Sequence, residues 1–491
     1  MTDRSDTVRF VLDGRTVEVD NPAPTESLLS CLRERLGRRG VKEGCAEGDC
    51  GACTVVLGER SGDTIDYRAV NACIRFLPTV DGREVITAES LVAPDGTLHP
   101  VQQAMVDCHA SQCGFCTPGF VMSLFALWLN DPSPDREAVI QALSGNLCRC
   151  TGYRPIVDAG LSAAGRAEPA HWGRHDAQSS ERRARLDAVQ RRGALALQSG
   201  AGFFAPRSLE ELANAYMARP DALILAGGTD IGLWVTKHLQ DLPMILYLGE
   251  VADLHRIDVE PEAIVIGAAV PLTEAYGALV SEWPALGELA GRFASPPVCN
   301  SGTLCGNIAN GSPIGDSMPP LLALGAQLEL RCGDRRRTMA LDEFYLGYRS
   351  TALASGELVT AVRIPRKKAS EQLLCWKVSK RVDQDISAVC VAVWWCESEG
   401  VVGDVRLGFG GMAAVPARAL HAEQALRGQP LGPAAIDAAG AALATDFSPM
   451  TDMRASSDYR LRVAANLLKR LLHARQRAYP TRVEHVSAET I

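Results

Sequence analysis

Apolar and polar positions alternate with period two at the start of the chain. Val8-Arg-Phe-Val-Leu-Asp-Gly-Arg-Thr-Val-Glu-Val19 reads as a strand, an Asp13-Gly14 turn and a second strand, a hairpin signal. The period then changes. Leu28, Leu29, Leu32 and Leu36 fall on one face of a helix expected over Thr25 to Leu36, with Cys31 near that face as a core residue. Thr54-Val-Val-Leu and Glu84-Val-Ile-Thr add further strands, so residues 1–90 read as a small β-grasp unit. From Pro100 the texture is helical. Val101–His109, Gly119–Leu129, Asp135–Ser144 and Ile156–Arg166 give four short segments, with Pro132 and Pro134 between the second and third. Residues 91–165 therefore read as a small helical bundle.

Residues 166–200 are polar and arginine-rich, as in Glu181-Arg-Arg-Ala-Arg-Leu, and are expected to form a solvated linker with a helical stretch. From Phe203 the pattern is mixed, with a helix at Glu210–Met217 and strands at Ala222–Ala226, Ala263–Ala268 and Gln327–Arg331, which suits an α/β domain over 201–370. A last unit, 371–491, carries strands at Ala388–Trp395 and Val405–Phe409 and helices near Ala419–Leu426 and Tyr459–Gln476. The fold class is thus multidomain α+β, as 491 residues allow. A net charge of −8 argues against a nucleic-acid partner, which would ask for a basic face. The N-terminus has no charged-then-apolar leader pattern, and the longest apolar run, Gly119 to Leu129, is too short to span a bilayer. A cytoplasmic location with no membrane partner is expected.

Sixteen cysteines change this picture, because in a reducing compartment cysteine is a small apolar residue or a metal ligand rather than a disulfide. Cys45, Cys50 and Cys53 are spaced C-x4-C-x2-C and Cys73 follows, the plant-type ferredoxin pattern for a [2Fe–2S] centre. Gly44, Gly48 and Gly51 supply the tight turns such a loop needs. A four-thiolate zinc site is the rival, although zinc sites are usually built from two paired knuckles. Cys113 and Cys116 form a C-x2-C pair, and Cys148 and Cys150 a C-x-C pair, each between expected helices. Alone these four fit zinc or iron; beside the first set a second [2Fe–2S] centre is the reading. Cys31, Cys108, Cys299, Cys305, Cys332, Cys375, Cys390 and Cys396 sit mostly singly in apolar runs and are expected to pack in cores.

No Gly-x-Gly-x-x-Gly follows a strand, so a Rossmann site is not expected. Leu223-Ile-Leu-Ala-Gly-Gly-Thr-Asp-Ile231 runs from strand through glycine turn to helix; it reads as an anion nest for a pyrophosphate or as a plain strand–helix turn. Asn300 to Asp316 is rich in small polar residues that suit close approach to a ligand.

The strings Glu-Gly-Cys45-Ala-Glu-Gly-Asp-Cys50-Gly-Ala-Cys53, Gln-Cys113-Gly-Phe-Cys116-Thr-Pro-Gly and Gly-Asn-Leu-Cys148-Arg-Cys150-Thr-Gly-Tyr resemble the two-cluster domain of the xanthine dehydrogenase and aldehyde oxidase family of molybdenum hydroxylases. Gly227-Gly-Thr and Gly306-Asn-Ile resemble that family's FAD-binding domain, and Gly408 to Ala419 its small C-terminal domain. The resemblance implies a β-grasp 2Fe-2S ferredoxin-like domain, a four-helix 2Fe-2S domain, a PCMH-type α/β FAD-binding domain and a small α+β C-terminal domain. It implies two 2Fe-2S clusters on the eight named cysteines. It implies FAD on Ile224, Leu225, Ala226, Gly227, Gly228, Thr229, Asp230, Ile231, Phe293, Thr303, Gly306, Asn307, Asp316, Val359 and Lys377, with Phe293 near the isoalloxazine. The chain departs from the family pattern at Pro297 and Cys299, where glutamine and arginine are common, and at Cys305, where glycine is common.

In function the resemblance implies the iron–sulfur and FAD subunit of a bacterial-type xanthine dehydrogenase, with no catalytic side chain of its own. Molybdopterin would lie only on a separate large subunit, joined in a heterotetramer of two copies of each chain. Electrons from purine oxidation would run through the Cys113 set, then the Cys45 set, to FAD and NAD⁺. An equivalent subunit acting on an aldehyde or N-heterocycle is the first rival, and a zinc-stabilised binding protein the second.

Overall fold

A computed structural model describes residues 6–476. The ends of the expected 1–90 and 371–491 domains, residues 1–5 and 477–491, lie outside the described residues. The chain divides into two compact units. The first comprises Met1–His255, Pro271–Thr273 and Ala294–Thr303; the second comprises Arg256–Val270, Glu274–Phe293 and Leu304–Ile491.

The first unit opens with the expected hairpin, β1 (Thr7–Leu12) and β2 (Arg15–Asp20), whose turn residues Asp13 and Gly14 both take positive φ. β3 (Thr54–Ser61), β4 (Thr64–Asn71) and β5 (Glu84–Ile86) complete a sheet in the order β2-β1-β5-β3-β4, with β5 parallel to β1. This is a β-grasp, and it buries Leu28, Leu29 and Leu32 against Phe10, Val55 and Val85. The helix expected over Thr25 to Leu36 is shorter: one α turn, Leu28–Ser30, runs into a π turn, Cys31–Arg35. Ser27 explains the late start, since it bridges to Phe76 as extended chain and its hydroxyl then caps Ser30. The helical part holds Pro100–Asp107, Thr117–Asn130, Arg136–Leu143 and Arg154–Ala164, close to the four expected segments. Next, β6 (Leu195–Leu197), β7 (Phe203–Ala205), β8 (Leu223–Leu225) and β9 (Ile245–Tyr247) form a sheet in the order β6-β7-β9-β8.

Residues 166–200, expected as a solvated linker, are a packed strap. Trp172 is buried, donates its indole N–H to the Ser90 carbonyl at 3.0 Å and meets Tyr67 and Phe125 edge-on. Arg182 lies over the Trp172 ring and reaches Glu84 at 3.2 Å and Asp176 at 2.8 Å. Gln178 exchanges two hydrogen bonds with the Ile65 main chain, which covers the exposed edge of β4. The polar composition misleads because these arginines are long enough to bury their stems while their heads find carboxylates.

In the second unit β10 (Ile257–Val259), β11 (Ala263–Gly267), β12 (Gln327–Cys332) and β13 (Arg335–Ala340) share one sheet with β16 (Leu358–Pro365). A hairpin of β14 (Tyr345–Gly347) and β15 (Ser350–Thr351) precedes β16. β17 (Glu371–Val378), β18 (Val389–Ser398), β19 (Val401–Gly410) and β20 (Ala417–Arg418) form the C-terminal sheet. Val389, Val391, Val393 and Trp395 take the period-two face that packs on helices Leu420–Leu426, Pro433–Asp446 and Ser457–Gln476. Among the described residues no helix is long and apolar enough to cross a membrane.

Burial pushes the Glu84 carboxyl up to about 7, with Arg182 and Arg185 offsetting part of the cost. A folded-state pKa above the unfolded one stabilises at low pH, and that stability is lost as pH rises through the folded value. Glu84→Gln should remove this loss. Thermal melts across about pH 5 to 8 should show the variant gaining on the wild type as pH rises; parallel curves would refute the burial argument.

Candidate functional site

The first cysteine set occupies the loop before β3 and the turn after β4. The Cys45 sulfur accepts the main-chain N–H groups of Glu47, Asp49 and Cys50 at 3.3–3.4 Å. Its thiol also meets those of Cys50 and Cys73, and together these donors draw it far below the usual thiol range. Cys53 in turn meets Cys73, and both are buried. The loop wraps tightly because Ala46, Gly48 and Gly51 take positive φ.

The second set lies at two junctions of the helical part. Cys116 immediately precedes helix Thr117–Asn130, and Cys148 and Cys150 follow helix Arg136–Leu143. The thiols pair as Cys113 with Cys150 and Cys116 with Cys148. Thr151 Oγ1 lies 3.2 Å from the Cys148 sulfur, and the Cys148 N–H donates to the Tyr153 hydroxyl at 3.0 Å. Cys113 and Cys150 are exposed. Among the described residues no group of three or more His, Cys, Asp or Glu is set to hold a single metal ion. In the first set the thiol contacts run from Cys50 through Cys45 and Cys73 to Cys53, and in the second they form two pairs, so each set brings together the four thiolates that a binuclear cluster asks for.

Main-chain bonds tie the two sets together. The Leu147 N–H donates to the Cys50 carbonyl at 2.9 Å, and Asn146 Nδ2 donates to the Gly51 carbonyl at 3.2 Å. A Cβ at Gly51 would overlap the Gly145 carbonyl, so only glycine lets these loops meet. Pro297 has a local reason as well: it packs with Ser295 against Gly145.

Of the expected flavin residues, Ile224 to Ile231 and Thr303 lie in the first unit. Ile224 and Leu225 end β8, the turn runs through Asp230, and Ile231 opens helix Ile231–Thr236. The Leu225 side chain is core and its carbonyl accepts from the Leu248 N–H at 3.0 Å, whereas Asp230 is exposed and accepts from Trp234 Nε1 at 3.2 Å. The two small-residue patches meet: a Cβ at Gly227 would overlap the Ser301 carbonyl, and one at Gly302 would lie 3.2 Å from Thr229 Oγ1. Buried Thr303 bridges to Pro271. The helix after the turn also grips the first cysteine loop, a link no local motif announces. Thr236 Oγ1 donates to the Ala46 carbonyl at 2.6 Å and Lys237 Nζ to the Cys45 carbonyl at 2.7 Å.

Phe293, Gly306, Asn307, Asp316, Val359 and Lys377 lie in the second unit. Phe293 leans on Tyr276 with ring centroids 5.4 Å apart. Gly306 and Asn307 lie in helix Leu304–Asn310, and Asn307 Oδ1 is buried without a hydrogen-bond partner. Lys377 Nζ binds Asp316 at 2.7 Å, and Ser387 donates to the other Asp316 oxygen at 2.6 Å. Val359 is a buried β16 residue opposite Leu330. Cys305 turns into the core, its thiol 3.7 Å from the Ile266 carbonyl, and burial pushes it up to about 12. The extra Cβ is thus housed by the sheet.

The donor sets suit the expected groups. Clustered thiols with aimed N–H groups fit iron–sulfur clusters. In the first unit the glycine turn suits a phosphate, and in the second Asn307 Oδ1 is buried without a hydrogen-bond partner, as a ligand-facing oxygen would be. Family models match along the chain: a 2Fe-2S iron-sulfur cluster binding domain over 10–77, a [2Fe-2S] binding domain over 87–161, an FAD binding domain in molybdopterin dehydrogenase over 197–367, and a CO dehydrogenase flavoprotein C-terminal domain over 375–474. Xanthine dehydrogenase of Emericella nidulans is 34% identical over 90% of this chain and 36% of its own length. Xanthine dehydrogenase/oxidase of Rattus norvegicus is 31% identical over 83% of this chain and 34% of its own. The chain therefore spans about a third of the length of these curated relatives. Among solved structures, carbon monoxide dehydrogenase from Hydrogenophaga pseudoflava aligns over 55% of this chain and 96% of its own, at 29% identity and a TM-score of 0.52. Quinoline 2-oxidoreductase from Pseudomonas putida 86 aligns over 56% and 97%, at 25% identity and a TM-score of 0.50. With both 2Fe-2S domains, the FAD-binding domain and the flavoprotein C-terminal domain matched in sequence order, the chain belongs to the molybdenum hydroxylase family as its iron–sulfur and FAD-binding part.

Proposed function

We propose that this chain is the electron-transfer subunit of an NAD⁺-dependent xanthine dehydrogenase. In this reading a separate molybdopterin subunit oxidises the purine, and the assembly holds two copies of each chain. Cys45, Cys50, Cys53 and Cys73 would hold one 2Fe-2S cluster; Cys113, Cys116, Cys148 and Cys150 would hold the other. FAD would be held by Ile224, Leu225, Ala226, Gly227, Gly228, Thr229, Asp230, Ile231, Phe293, Thr303, Gly306, Asn307, Asp316, Val359 and Lys377. Bound clusters supply one-electron transfer, and bound FAD converts it to two-electron chemistry.

The observation that carries this reading is one continuous set of contacts inside the first unit. The Leu147–Cys50 bond joins the two cysteine loops, and the Thr236 and Lys237 bonds join the Cys45 loop to the helix behind the glycine turn. These bonds hold the two cysteine loops and the helix after the glycine turn against one another, as a relay of three groups would require. Lys377 and Asp316 keep their charges paired in a buried place, where either alone would be costly. A second reading keeps the chain's role and changes the partner's substrate to an N-heterocycle; the quinoline 2-oxidoreductase likeness favours it.

Native protein purified with its partner should be coloured, hold about four irons per chain and one FAD, and reduce NAD⁺ with hypoxanthine or xanthine. A colourless zinc protein would refute the cluster assignment. Activity on quinoline-like rings but not purines would select the second reading. Cys73→Ser should lower iron from about four to about two per chain, read by iron assay. Gly227→Ala should leave iron intact and weaken flavin retention about tenfold, the result of an overpacking cost near 1.4 kcal/mol, read as the flavin-to-iron ratio after gel filtration.

A further inference from the structure

The first cysteine set adjoins one buried polar side chain whose atoms are unused. Asn71 ends β4 opposite Thr54 and lies two residues before Cys73. It is 2% exposed, and neither Oδ1 nor Nδ2 makes a hydrogen bond. A primary amide left so costs free energy, and such groups call for an explanation. Its surroundings are the cysteine loop itself. Oδ1 lies 3.6 Å from where a Cβ on Gly48, between Cys45 and Cys50, would stand. The Asn71 amide also lies beside the Cys53 thiol, which meets Cys73 as well. Asn146, equally buried beside the second set, is fully used: Oδ1 accepts from Ser123 at 2.6 Å and Nδ2 donates to Gly51. The asymmetry between the two asparagines is the point of departure.

We infer that the Asn71 amide donates to a sulfur of the cluster held by Cys45, Cys50, Cys53 and Cys73 and raises that cluster's reduction potential. The inference rests on the cluster assignment proposed above. One-electron reduction adds negative charge that the sulfurs share, so an N–H donor in a buried site stabilises the reduced form more than the oxidised one. One electron arrives and one leaves; Asn71 gives up no proton and forms no bond. It is a positioning residue that acts through the potential. The backbone N–H groups of Glu47, Asp49 and Cys50 serve the Cys45 sulfur, and Asn71 serves the Cys53 side.

The test is a dithionite titration of the full-length protein, loaded with both clusters and FAD, followed by electron paramagnetic resonance. In Asn71→Leu one iron–sulfur signal should be reduced about tenfold less at a given potential, a midpoint about 59 mV lower, with the other signal unmoved. Two unmoved midpoints, or two that move together, would overturn the inference. Wild-type protein lacking either signal would instead defeat the cluster assignment. If the variant loses its cluster, wild type labelled with ¹⁵N in the asparagine side chains decides: pulsed measurements should show a label coupled to one reduced cluster, and no coupling would overturn the inference.

Discussion

The main-chain hydrogen bond from Leu147 N–H to the Cys50 carbonyl, with Asn146 Nδ2 on the Gly51 carbonyl beside it, holds the two cysteine-bearing loops in register. Its donor precedes Cys148 and its acceptor is itself a cysteine of the other set. Side-chain bonds could tilt or rotate; a bond between two backbones cannot do so without moving both loops. The contact needs Gly51, because any Cβ there would collide with the Gly145 carbonyl. Gly51 is therefore constrained twice, by its positive φ and by the neighbouring chain. Both constraints act on the geometry between the sets rather than on either set alone.

The same economy governs the strap. Four helices and a small sheet would not by themselves bury Tyr67, Phe125 and Glu84 together; Trp172 and Arg182 close over them. The charge on Arg182 is matched by Glu84 and Asp176, and its guanidinium lies flat on an aromatic face. The strap thus joins the β-grasp sheet to the helical part across residues that are distant in sequence. Gln178 on Ile65, Asn130 on the Tyr67 carbonyl and Asn300 on the Ala69 carbonyl together occupy main-chain groups of the β4 edge that would otherwise invite pairing with another chain.

Much of this architecture was legible in the sequence where a single local rule applied. The β1–β2 hairpin followed from Asp13-Gly14 between alternating strands, and the four helices of the second part followed from apolar stripes with proline breaks. Cysteine spacing drew attention to the same two loops whose thiols stand together. Elsewhere the local signal was weak or misleading. Helix Pro433–Asp446 was passed over because alanine dominates it and leaves no apolar stripe. β4 was passed over despite its alternating Ile65, Tyr67 and Ala69, which form its buried face. The strap read as a linker because its arginines find their carboxylates far along the chain. Leu225 stood among expected ligand contacts, yet its side chain belongs to the core and its carbonyl accepts from the Leu248 N–H at 3.0 Å.

The contacts that long-range folding alone creates are also those that set electron-transfer geometry. Lys237 and Thr236 carry no motif, and their importance comes from reaching the carbonyls of Cys45 and Ala46, nearly two hundred positions earlier. Those bonds hold the two carbonyls to the helix, while main-chain N–H groups of the same loop turn toward a sulfur. The Cys45 sulfur receives three of them. Donors on one side and fixed carbonyls on the other give the loop a directed dipole that favours added negative charge at the thiolates. The packing that fixes the loop against its neighbours therefore also holds its N–H groups on the Cys45 sulfur, so that under the proposed function the same contacts would serve structure and redox chemistry together.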